Sequence, residues 1–231
     1  MFIHDAITID IVEKLNDFLL LQRPIVTNEN IICKHLFEEQ YLDLAGFATY
    51  LKENGCLGVK LDFIPLLDEE LLETLNPKGN LLMLYFPTAI EICQVFIEDE
   101  SCKVEPLHLH LSVWPKPLDF AQAKDDFKGL LEAIYTYALD NNFEKHSAYF
   151  KAALDILAQI KESKSYLDKE ANIYLQAAAK AWVFDAQDDW YDLPNDNPFH
   201  EHFGSELQYI IYWMHLVGID FSVEHYLQKT A

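Results

Sequence analysis

The hydrophobic period of this chain changes twice, and those two changes constrain its fold more than any other feature. From Thr8 to Gln22 the apolar residues Ile11, Val12, Leu15, Phe18 and Leu19 recur at helical spacing. Arg23-Pro24 ends the run, because proline disfavours a helical conformation in the residue before it. A second helical stretch is expected over roughly Asn30 to Phe37. A third is expected from about Glu39 to Asn54, where Leu44, Phe47, Ala48 and Leu51 share a face and Asn54-Gly55 supplies the stop.

The period then drops from 3.6 to 2. Val59, Leu61 and Phe63 alternate with Lys60 and Asp62, as a half-buried strand requires. Asp68 to Leu75 suits a short helix, Asn76 to Asn80 a turn, and Leu81 to Phe86, apolar on both faces, a central strand. Two further strands follow at about Glu91 to Glu98 and Val104 to Trp114, joined through Asp99-Glu100-Ser101. Such short connections favour an antiparallel meander, and Pro106 puts the start of the last strand at an edge or a bulge.

After the rigid connector Trp114-Pro115-Lys116-Pro117 the helical period returns. Helices are expected at about Phe120 to Leu139, Lys145 to Lys161, Lys169 to Phe184 and Glu201 to Val217, with the polar segment Asp185 to Pro198 before the last. The fold class is therefore α+β, with N-terminal helices, an antiparallel sheet of about four strands, and a mostly helical C-terminal half. The boundary is placed between residues 1–117 and 118–231, with the helical subdomain either separate or packed with the first part as one domain.

Charge narrows the partners. The net charge is −21, divided nearly equally between the halves on either side of Leu118, so no single tail carries it. A field of that sign repels nucleic acid phosphates and anionic membranes and speeds encounter with basic partners. Sixteen of the seventeen basic residues are lysine; only Arg23 could offer the planar fork that clamps a phosphate bidentately. The N-terminus lacks the basic start and apolar core of a signal peptide, and no run has the length of a membrane span, so a cytoplasmic address is expected. Cys33, Cys56, Cys93 and Cys102 are scattered and read as reduced thiols.

The acidity becomes one-signed late in the chain. Between Lys180 and Lys229 there is no basic residue, while nine acids fall in the gap. Asp185, Asp188, Asp189, Asp192, Asp196 and Glu201 are concentrated at its start, with Trp190-Tyr191 among them. Large aromatics flanked by carboxylates suit a basic protein surface, since the rings supply buried contact and the acids steer and select. The competing expectation is that both rings close the core beneath the segment, and burial distinguishes the two.

Catalytic signals are sparse. There is no G-x-S-x-G, no P-loop and no G-x-G-x-x-G, and the acidic loop lacks the alternating ligands and central glycine of a calcium-binding EF-hand. His108-x-His110 has the spacing that presents two imidazoles on one face of a strand. His200-Glu201-His202 could meet Asp192 and Asp196 only if that segment is extended rather than helical.

The sequence therefore favours an acidic cytoplasmic binding or inhibitor protein, of the kind an immunity protein against a toxin represents. It would engage a basic protein partner through Asp185, Asp188, Asp189, Trp190, Tyr191, Asp192, Asp196 and Glu201. No cofactor, no direct nucleic acid binding and no membrane association are expected, and the sequence sets no oligomeric state. Two alternatives come from other classes. One is a metal-dependent hydrolase using His108 and His110, and the other is a protein whose carboxylates mimic nucleic acid phosphates.

Overall fold

The computed structural model describes residues 2–27, 30–62, 80–98, 101–111, 119–159, 166–184, 189–193 and 198–230. The chain forms two compact units. Residues Met1–Lys116 and Val223–Ala231 make one, and Pro117–Ser222 the other. The expected helix at Asp68 to Leu75 and the connector Trp114 to Pro117 lie outside the described residues.

In the first unit, α1 (Phe2–Leu21) places Ile11, Val12 and Leu15 in the core, each fully buried. Three short elements follow, namely β1 (Ile31–Lys34), β2 (Tyr41–Asp43) and α2 (Leu44–Glu53). The side chain of Asp43 caps α2 by accepting from the Gly46 amide at 2.7 Å. Gly55, with φ at +79°, turns the chain past its C-terminal end. Within the stretch Asn30 to Phe37, where a helix was expected, Ile31–Lys34 is a strand. Ile31 and Cys33 are buried and alternate with half-buried Ile32 and Lys34, a period-two pattern made by docking onto a distant strand.

The meander consists of β3 (Gly58–Asp62), β4 (Asn80–Tyr85), β5 (Ile90–Glu98) and β6 (Ser101–Leu111). These four pair antiparallel in sequence order, and β1 adds to β6 in parallel, with Ile31 opposite Cys102 and Cys33 opposite Val104. Among the described residues the sheet has six strands in the order β2-β1-β6-β5-β4-β3 and is mixed, which corrects the expected four-stranded antiparallel sheet. Every residue of β4 is buried, as its apolar composition on both faces requires. Pro106 lies beyond Val104, the last β6 residue with a β1 partner, and beside the register shift between Glu91 and Cys93.

Two polar devices fasten the edge strand β3. Asn16 of α1 accepts from the Val59 amide at 2.8 Å and donates to the Val59 carbonyl at 2.7 Å. It thereby satisfies backbone groups that an edge strand leaves open. Lys60 is only 2% exposed. Its ammonium bonds Glu224 at 2.8 Å and lies 4.6 Å from the centre of the Tyr85 ring, so the buried charge is compensated. The four cysteines are buried and none is in a disulfide, and burial pushes the Cys56 thiol up to about 12.

The second unit contains α3 (Phe120–Asp140), α4 (Glu144–Leu157), α5 (Lys169–Lys180) and the first part of α6 (Pro198–Thr230). Asp119 and Asp168 cap α3 and α5 by accepting backbone amides. On α3, Phe127, Leu131, Ile134 and Ala138 form a buried apolar face. Phe120 stacks on Phe221 with ring centres 4.8 Å apart. Gly218 lets α6 approach α5, since a Cβ there would stand 3.3 Å from Leu175. Among the described residues no helix is long and apolar enough to cross a membrane.

Candidate functional site

The acidic segment is organised by one turn of 3-10 helix, Trp190–Asp192, in the second unit. After α5, Val183 and Phe184 are buried, and the Trp190 amide donates to the Val183 carbonyl at 2.8 Å. Asp189 starts the turn, its carboxylate accepting from the Tyr191 amide at 2.9 Å. The Asp192 amide closes it on the Asp189 carbonyl at 3.2 Å.

Trp190 points inward and is fully buried. Its indole stacks on His200 with ring centres 4.4 Å apart and planes at 18°, and meets Phe143, His146 and Phe150 edge-on. Two hydrogen bonds join the stacked pair reciprocally. Trp190 Nε1 donates to the His200 carbonyl at 2.9 Å, and His200 Nε2 donates to the Trp190 carbonyl at 2.7 Å. A carbonyl can only accept, so Nε2 carries the proton. His200 Nδ1 is buried with no partner among the described residues.

Burial separates the two aromatics. Trp190 is a core residue, which removes it from the set of surface contacts expected from the sequence. Tyr191 is 40% exposed. Its ring packs against Phe184 at 5.7 Å, and its hydroxyl bonds Gln208 of α6 at 3.4 Å. Both rings straddle Gly204, where an added Cβ would fall 2.8 Å from atoms of each. An isolated glycine in a helical pattern signals close approach, and this is the sequence cue that could have located the contact.

An open cleft of ≈ 380 Å³ adjoins the turn and is lined in part by Phe143, Glu144, Lys145, His146, Asp189 and Asp192. His146 is 4% exposed. Burial lowers its pKa, Lys145 and His200 add to that, and Asp189 opposes it. Sequence reasoning missed His146, because nothing in the pattern of α4 connects it with a turn more than forty residues later.

The remaining acids divide. Glu201 is exposed and lies seven residues before Gln208, on the line of α6 that Tyr191 reaches. Asp185, Asp188 and Asp196 lie outside the described residues.

No family model, curated protein or solved structure matches this chain. The geometry is therefore the basis for a functional reading.

The histidine pairs fare differently from the turn. His200 and His202 lie within α6, two residues apart, where side chains diverge; His200 is buried and His202 exposed. His108 and His110 lie on β6, but the register shift between Glu91 and Cys93 falls opposite Leu107 to Leu109. Their side chains lie outside the described residues, and among the described residues no group of three or more histidines, cysteines or acids is placed to hold a metal ion.

Proposed function

We propose that this chain is an acidic cytoplasmic binding protein of the inhibitor type, comparable in mode to an immunity protein, that engages a basic protein partner. Its contact surface is the exposed edge of the 3-10 turn: Asp189, Tyr191 and Asp192, with Glu201 beside them and Asp185, Asp188 and Asp196 from the same acidic stretch. The observation that carries this reading is the division of labour within the turn. Trp190 is locked to His200 by two hydrogen bonds and a stacking contact, while the next residue, Tyr191, keeps 40% of its surface exposed.

A surface built this way loses little conformational freedom on binding, so more of its contact energy appears as affinity. The tyrosine provides amphipathic contact area, and the carboxylates provide sign selection and electrostatic steering. No basic residue falls between Lys180 and Lys229 in the sequence, so the acids of the turn outnumber Lys145, the basic residue that lines the adjoining cleft.

Affinity capture from the source cell's lysate, washed over a salt series, tests the reading with wild-type protein and a Tyr191→Ala variant. A basic protein retained by wild type, lost by the variant and eluted by salt is expected. Capture of nothing, or of a partner indifferent to Tyr191 and to salt, contradicts it.

A further inference from the structure

We propose that a second line of α6, distinct from the one Tyr191 covers, is a docking seam for a basic amphipathic helix. Phe199, His202, Glu206, Tyr209 and Trp213 follow one another at intervals of three, four, three and four residues, the spacing of a coiled-coil seam. The line is about 21 Å long at 1.5 Å per residue. By helical geometry it lies well around the helix from Gly204 and Gln208, where Tyr191 packs.

The seam is open. Phe199 is 62% and Tyr209 59% exposed, and His202 and Glu206 are exposed between them. Tyr209 and Trp213 hold their rings nearly parallel, at 8°, with centres 6.5 Å apart. Large exposed aromatics at seam spacing are costly unless something covers them, and a facing helix with the same period is the shape that interdigitates with them.

Charge decides the occupant. Glu206 sits at the middle of the seam, and no lysine or arginine occurs anywhere from residue 181 to 228. A second copy of this chain would set Glu206 against its own acidic surface, with a net charge of −21 on each molecule. A helix carrying lysine or arginine opposite Glu206 is instead paired at that position, and its cations can also lie on the aromatic faces. The inference takes from the proposed function only the sign of the partner's charge.

The test uses three fluorescent 21-residue peptides at low salt: a helical one with a leucine seam, a central lysine and arginine flanks; its glutamate-substituted counterpart; and oligolysine. The first is expected to bind the full chain best, and the second not at all. Binding is expected to weaken at least tenfold in Phe199→Ala/Tyr209→Ala, whose unchanged melting temperature shows that the fold persists. Glu206→Lys is expected to switch preference to the acidic peptide, and Tyr191→Ala to change little. Equal binding of oligolysine, or indifference to the Phe199/Tyr209 pair, overturns the seam. So does a dimer in sedimentation that the same pair disrupts. Binding lost only in Tyr191→Ala overturns the seam while leaving the basic-partner reading standing. Failure of every basic peptide to bind overturns the seam, and the basic-partner reading is then decided by the capture experiment.

Discussion

Trp190 and His200 each donate a side-chain hydrogen bond to the other's backbone carbonyl, at 2.9 and 2.7 Å, while their rings stack 4.4 Å apart. The turn between α5 and α6 is thereby tied to the first turn of α6 by two side-chain-to-backbone bonds and a ring stack. Trp190→Phe keeps most of the ring but leaves the His200 carbonyl without the indole donor. A loss of about 1–3 kcal/mol in urea unfolding is expected, and Trp190→Ala should lose about 3–5 kcal/mol. A neutral Trp190→Phe would mean that the indole bond contributes nothing.

Gly204 offers a way to move the turn without changing its charge. A methyl group there meets Trp190 and Tyr191 at 2.8 Å. Gly204→Ala should cost about 1–3 kcal/mol through overpacking and should weaken partner binding as Tyr191 shifts. Gly129→Ala is the control, because nothing lies within 4 Å of its added methyl. It should stabilise α3 by about 0.5–1 kcal/mol.

Asn16 acts on the first unit as a one-residue substitute for a neighbouring strand. Asn16→Leu removes both of its bonds to Val59 and leaves a buried amide and carbonyl unpaired. A loss of about 2–4 kcal/mol is expected in chemical unfolding. The Val59 amide should also exchange its hydrogen faster; unchanged exchange would contradict the edge-capping role.

Glu13 makes stability depend on pH. Its pKa is raised to about 7, first by burial and then by the flanking Asp10 and Asp17, with Lys14 offsetting part of the effect. Because the folded-state pKa lies above the ordinary 4.5, the favourable contribution is complete below about 4.5 and is lost as pH rises through about 7. Glu13→Gln should therefore melt higher than wild type at pH 8 and match it near pH 4. An equal difference at both pH values would rule out this origin.

How far the sequence revealed these features depended on whether each one was local. Strands β3 to β6 were visible because alternation such as Val59-Lys60-Leu61 is a property of a few adjacent residues. Strand β1 was not, because Ile31 to Lys34 is too short to show a period, and its pairing with Cys102 to Val104 is made across about seventy residues. The last helix was expected to end at about Val217, yet α6 continues to Thr230, with Gly218 at the approach of Leu175 and Asp220 buried. At the site, the acidic character was plain from composition. The opposite fates of Trp190 and Tyr191 were not, because a single helical turn can direct adjacent rings to core and solvent without any repeating pattern.

The central claim is that carboxylates on the Trp190–Asp192 turn select a basic partner. Its most direct test is calorimetric titration of the captured partner into wild-type protein and Asp189→Asn/Asp192→Asn across a salt series. Asparagine keeps the oxygen that caps Tyr191 and removes only charge. The account predicts weaker binding by the variant at low salt, with a shallower loss of affinity as salt rises. Identical affinities and salt slopes for the two proteins would contradict it.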